Sequence, residues 1–151
     1  MKRIIEVGFA LALAGCTSPA PAAVPQVAPV SASFGRTWAA TVEVLAERAI
    51  NIKTIDRSSG YVAAEATQVP TDTLKRYTTN YGGFMASLIT LDDPATTRYN
   101  ILVKGDSSGS TVRVTMLTSI DVGSGETAKC SSNGTFEQAL QRDIKARAEA
   151  R

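Results

Sequence analysis

Apolar residues recur along this chain with two different periods, and the places where the period changes outline a small domain. Phe34, Trp38, Val42, Leu45 and Ala49 fall at i, i+4, i+8, i+11 and i+15, the spacing of one face of an α-helix. Glu43, Glu47 and Arg48 occupy other faces, and Ser33 stands where an N-cap is wanted. The pattern predicts a helix from Ser33 to about Ala49, with Trp38 as a core anchor.

The period then drops to two. Residues 50–55 alternate with β-branched side chains, and residues 61–66 follow after Asp56-Arg57-Ser58-Ser59-Gly60, a turn-rich link that suits a hairpin. A second hairpin is clearer. Residues 98–104 place Tyr99, Ile101 and Val103 on one face, and residues 111–116 do the same with Val112, Val114 and Met116. Their link, Gly105-Asp106-Ser107-Ser108-Gly109, repeats the chemistry of the first turn without making the flanks a repeat. Helical spacing returns at the C-terminus, where Phe136, Leu140 and Ile144 form a stripe. Thr135 and Gln138 suggest a capping box for this helix, and Lys145, Arg147 and Arg151 would complement its dipole.

Between the hairpins lies a harder region, residues 67–97. It is too long for a structureless connection in a compact domain. Phe84 to Leu91 reads equally as a strand or a short helix. Tyr77, Tyr81 and Phe84 cluster around Gly82-Gly83. Aromatics in such a loop form either a partner-binding surface or a cap on the open end of the core. Tyr77, Tyr81 and Phe84 are therefore candidates for a partner surface. The order helix, hairpin, long loop, hairpin, helix predicts an α+β domain: one antiparallel sheet with an N-terminal and a C-terminal helix packed on one face.

The first 32 residues follow neither period. Lys2 and Arg3 precede an apolar run of eight residues from Val7 to Ala14, and then come Gly15 and Cys16. Eight residues fall far short of the roughly 20 that span a bilayer. The layout is that of a removable export signal. Leu13-Ala14-Gly15-Cys16 resembles the lipobox of bacterial lipoproteins at all four positions, with Glu6 an unusual acid ahead of the apolar core. The resemblance implies cleavage after residue 15, an acylated Cys16 seated in the lipid bilayer, and, with Thr17 rather than Asp following, an outer-membrane address. Pro19, Pro21, Pro25 and Pro29 then mark residues 16–32 as an uncharged Pro/Ala-rich tether. Their spacing contains no P-x-x-P ligand motif. The expected organisation is a signal at 1–15, a lipidated tether at 16–32 and a single periplasmic domain at 33–151.

Composition narrows the chemistry. Removing Lys2, Arg3 and Glu6 with the signal takes the formal charge from +2 to +1. Bases and acids are interspersed, and nothing favours nucleic acid as a partner. Histidine is absent, which removes Ser-His-Asp and Cys-His catalysis and the usual zinc and copper ligand sets. Gly123-Ser124-Gly125 lacks the spacing of a G-x-S-x-G elbow. No catalytic residue, cofactor or metal site is expected. With Cys16 committed to lipid, Cys130 has no partner for an intramolecular disulfide, and burial as a small hydrophobe is its commonest fate.

The segment Cys130-Ser131-Ser132-Asn133-Gly134-Thr135-Phe136-Glu137 is similar to the C-x-S-x-G-x-x-E signature that opens the last helix of small Gram-negative lipoproteins. Trp38 followed by Ile52, Asp56 and Gly60 resembles their first half. In architecture these proteins resemble the helix-grip domains of a lipoprotein that belongs to the outer-membrane β-barrel assembly machinery. The likeness covers residues 34–147. Their middle loop often carries a second cysteine before a glycine, where this chain has Asn80-Tyr81-Gly82, so no disulfide carries over. The resemblance implies a non-catalytic, membrane-anchored envelope protein that binds a protein partner or supports an assembly. A small-ligand pocket between the C-terminal helix and the sheet is the alternative.

Overall fold

The computed structural model describes residues 26–79, 95–121 and 127–150. The elements follow in the order β1 (Val27–Val30), α1 (Phe34–Glu47), β2 (Asn51–Asp56), β3 (Tyr61–Thr67), α2 (Thr71–Tyr77), β4 (Ala95–Gly105), β5 (Ser110–Asp121), β6 (Thr127–Ser131) and α3 (Thr135–Glu149). Six strands make one antiparallel sheet in the order β1-β5-β4-β3-β2, with β6 also on β5. Strand β5 is long enough to serve two neighbours on one edge. Its first residues pair with β1, as in Val30↔Ser110, and its last with β6, as in Asp121↔Thr127.

Period-two alternation assigns the faces. Along β4, Thr97, Tyr99, Ile101 and Val103 are buried, and along β5 Val112, Val114, Met116, Thr118 and Ile120 are buried. On the other side Arg98, Asn100, Lys104, Arg113 and Leu117 are exposed, and Leu102, Thr115 and Ser119 are half-buried. The buried face carries α1 and α3, which pack against each other and onto β1, β2, β4 and β5. This is the α+β arrangement that the sequence predicts. Trp38 and Phe136 lie in one continuous core, although their rings take different partners. Trp38 stacks on Phe34 at 5.9 Å, and Phe136 meets Tyr99 at 5.0 Å.

The two hairpin turns are built alike. Asp56 Oδ1 accepts hydrogen bonds from the Ser58 amide (2.9 Å) and hydroxyl (2.6 Å), and Asp106 Oδ1 accepts from the Ser108 amide and hydroxyl, both at 2.7 Å. These bonds favour the charged carboxylates and hold Asp56 down at about 2, with Asp106 shifted in the same direction. Both tips converge on the start of α1: the Phe34 amide donates to Asp106 O at 2.8 Å, and the Phe34 ring lies against Gly60. Gly60 has φ +72, and a Cβ there would come within 2.0 Å of Val103 O. Only glycine lets the first turn close onto β4.

Several expectations are corrected. The end of the stretch assigned to a tether is β1, so the fold begins before Ser33. Pro29 tolerates a sheet position because β1 is an edge strand and needs no donor there. Val30 and Ala32 are buried behind it. The α1 stripe is turned from the predicted one: Thr37, Thr41 and Val44 are buried, whereas Val42 is half-buried and Ala49 is exposed beyond the helix. The threonines go inside because their hydroxyls are satisfied. Thr37 Oγ1 lies 2.7 Å from Ser110 Oγ, and Thr41 Oγ1 donates to Thr37 O at 2.8 Å. Lys145 and Arg147 do not simply face the end of α3. Lys145 Nζ donates to Pro29 O at 3.0 Å, and Arg147 pairs with Glu43 and Glu47 of α1 at 3.3 and 2.7 Å. Strand β6 and helix α2 went unread in the sequence, as their cores are short. Residues 1–25, with the signal and Cys16, lie outside the described residues, as do Phe84 to Leu91.

Burial of Trp38 predicts a clear asymmetry between the faces of α1. Trp38→Ala should cost about 3–5 kcal/mol. Glu43→Ala removes a half-exposed ion pair and should cost less than about 1 kcal/mol. Urea denaturation of the two variants measures both.

Candidate functional site

The last helix starts in a knot of hydrogen bonds rather than a capping box. Gly134, with φ 82, holds the N-cap position, and Thr135 is already helical. Asn133 Oδ1 accepts the Thr135 amide at 3.0 Å, and Ser132 Oγ accepts the Gly134 amide at 3.0 Å. The Ser132 hydroxyl in turn donates to Glu137 Oε2 at 2.7 Å, and Glu137 Oε1 takes the Met116 amide of β5 at 3.2 Å. Glu137 is 6 % exposed, and these donors compensate the carboxylate's lost water. The end of α2 is sewn to the same place. Asn133 donates its amide to Tyr77 O at 3.0 Å and its side chain to Arg76 O at 2.8 Å. Residues Ser132, Gly134 and Glu137 of the eight-residue signature thus have structural work. Cys130 has its own: it is buried with Leu74, Ala95 and Ile120, and burial pushes its thiol up.

Fixing α3 and α2 in this way leaves a gap between them. A cleft of about 330 Å³ opens between the end of α1, the β3–α2 link and the first turn of α3. Ile50, Val69, Tyr99 and Phe136 give it an apolar floor, and Arg48 stands at its rim. The Arg48 guanidinium carbon lies 5.6 Å from the centroid of Phe136, a cation–π contact, and the group is ion-paired with Asp143 of α3. Two non-glycine residues among those described have positive φ, Ala49 at 53° and Gln68 at 56°. Gln68 lines the cleft, and Ala49 links the lining residues Arg48 and Ile50. Such strain persists only where surrounding structure imposes it, and it gathers at binding sites.

Of the residues singled out in the sequence, Tyr77 ends α2, half-buried, with its ring edge-on to Phe136 at 5.3 Å. It supports the floor of the cleft from behind. Tyr81, Phe84, Cys16 and Ser124 lie outside the described residues. Sequence reasoning missed Arg48, Gln68 and Tyr99 as site residues. Tyr99 and Phe136 were legible as core positions, but nothing marks which core residues border a gap. Among the described residues, no three His, Cys, Asp or Glu side chains gather in a way that could hold a metal ion, and no helix is long and apolar enough to cross a membrane.

No protein-family model matches this chain, and no curated protein matches it. Among solved structures it is similar to a DUF4468 family protein from Bacteroides ovatus ATCC 8483, with 14 % identity and a TM-score of 0.39. The match covers 70 % of this chain and 58 % of that one, less than two thirds of the neighbour's length.

Tyr99 supplies a pH signature for the site. Burial, with the Glu137 carboxylate adding to it, pushes its hydroxyl from 10.0 up to about 12. A pKa raised on folding adds stability that is complete below the unfolded value and is lost as pH rises through the folded one. The Tyr99 contribution should therefore fall away between pH 10 and about 12. Comparing urea midpoints of the parent and Tyr99→Phe across this range isolates it, and the variant should show the shallower decline.

Proposed function

We propose that this chain is a membrane-anchored envelope lipoprotein, held through acylated Cys16 at the outer membrane with its domain facing the periplasm. Its non-catalytic domain binds a protein partner or supports an envelope assembly. The lipobox-like Leu13-Ala14-Gly15-Cys16 supports the anchor. The observation that carries the binding reading is the strained, apolar-floored cleft with one guanidinium at its rim. Ile50, Val69 and Phe136 suit an apolar side chain, and Arg48 suits a carboxylate beside it. The cleft's volume of about 330 Å³ also favours a second reading, since small-molecule pockets begin near about 300 Å³. On that reading the protein is a ligand-binding lipoprotein with its pocket between α3 and the sheet.

Cys16→Ala should move nearly all of the protein from the membrane to the soluble fraction, because stable anchoring requires acyl chains, each contributing ~0.8 kcal/mol per buried CH₂. Retention at the membrane with cleavage still after Gly15 would sink the anchor. For the cleft, a photo-crosslinking residue at Thr73 in intact cells should yield one discrete protein adduct. Thr67→Trp, which fills the cleft from its rim, should abolish that adduct at unchanged melting temperature. An adduct that persists in Thr67→Trp would place the contact elsewhere. A thermal shift with small envelope metabolites that Thr67→Trp abolishes would favour the second reading.

A further inference from the structure

The face of the sheet opposite the helices carries no layer of secondary structure among the described residues. Such faces are ordinarily polar and solvated. This one departs from that in two respects. Val27 and Leu117, each 44 % exposed, stand on it, and the registers place Val27, Arg113 and Leu102 side by side, with Leu117 next to Arg98. Basic side chains also outnumber acidic ones. Lys53, Arg98, Lys104, Arg113 and Lys129 project from this side, against Glu65, Asp121 and, at the turn, Asp56. Glu65 is already shared between Lys53 and Arg98, at 3.3 and 3.4 Å, and Asp56 is turned into its own hairpin. Arg113 and Lys129 have no ion-pair partner among the described residues. On the helix side, Arg48 and Arg147 are paired across α1 and α3.

Chain connectivity brings this face to one kind of surface. Val27 is at once a residue of the face and the first residue of β1. It follows Cys16 by eleven residues, which span no more than about 40 Å even fully extended. A domain held by Cys16 therefore cannot leave the membrane neighbourhood, and the strand nearest the anchor presents the open face.

We propose that the open face of the sheet docks on anionic phospholipid headgroups, with Arg98, Arg113 and Lys129 meeting phosphate and with Val27 and Leu117 entering the headgroup layer. The inference rests on the lipid-anchor reading for its geometry, and the face supplies its own affinity. Docking of this kind orients the domain so that α1, α3 and the cleft point away from the bilayer. Each cation near an anionic surface strengthens binding severalfold, and salt screens the effect.

The test uses the acylated full-length protein reconstituted into vesicles of phosphatidylcholine, alone or mixed with phosphatidylglycerol, both with brominated tails. A nitrobenzoxadiazole fluorophore is placed at Thr115→Cys, in the middle of the face, or at Arg142→Cys on the outer side of α3. In mixed vesicles, quenching at position 115 should exceed that at 142 severalfold. It should collapse toward the level at 142 in phosphatidylcholine alone, at about 1 M salt, where the Debye length is only ~3 Å, and in Arg113→Glu/Lys129→Glu. Flotation in phosphatidylcholine vesicles reads the anchor separately. Flotation with equal quenching at the two positions keeps the anchor and overturns the docking. Flotation only with anionic vesicles, quenched at 115, keeps the docking and overturns the anchor, and failure to float at all overturns both. A crosslink between position 115 on two copies, with no quenching, would assign the face to a second copy of this chain and also overturn the docking.

Discussion

Glu137 puts a carboxylate where only 6 % of its surface reaches solvent, and the shape of the domain depends on how that group is satisfied. An uncompensated buried charge costs several kcal/mol. The Met116 amide and the Ser132 hydroxyl compensate this one. Each donor fixes a separate element: Met116 sets the depth of α3 on β5, and Ser132 ties the end of the β6 segment to the first turn of the helix. Asn133, between them, takes up two carbonyls at the end of α2. Four pieces of chain thus meet over one carboxylate. Phe136, the residue just before it, is thereby placed against Tyr77 and Tyr99.

The cleft is a by-product of that knot. Helix α3 is held down at its start and α2 is drawn toward it, but the β3–α2 link must climb from the sheet to α2 without covering Phe136. It does so through Gln68 in the left-handed region, and the chain leaving α1 turns through Ala49 in the same region. Each such residue costs of order 1 kcal/mol or more. Neither is glycine, so neither strain is relieved by sequence. Arg48 leans across the opening between them, held by Asp143 on one side and the Phe136 ring on the other.

How much of this could be read from the chain follows from which signals are periodic. Both hairpins were legible because Tyr99, Ile101 and Val103 alternate cleanly and because the Asp-x-Ser turns mark their ends. The last helix was legible from Phe136, Leu140 and Ile144. The first helix was read with its face turned, because Thr37 and Thr41 count as polar in any pattern yet are buried once their hydroxyls find Ser110 and a backbone carbonyl. Strand β1 was hidden by Pro29, a residue that argues for a tether until the strand is known to lie at an edge. The cleft was not legible at all. It depends on Gln68 and Ala49 adopting conformations that their residue types disfavour, and on a gap between elements that no single segment encodes.

Strand β1 is four residues long, lacks a donor at Pro29 and lies on the outside of β5, yet it is the point through which the N-terminal part of the chain joins the domain. Three side chains of α3 brace it from behind: Gln141 donates to Gln26 O at 2.5 Å, Lys145 donates to Pro29 O at 3.0 Å, and Glu149 accepts the Ser31 amide at 2.8 Å. Tension applied along the N-terminal segment is therefore borne first by a short ladder and by α3, and only later by the long β4–β5 pair. Resistance to such a pull is set by the length of one edge strand and by its three braces on α3.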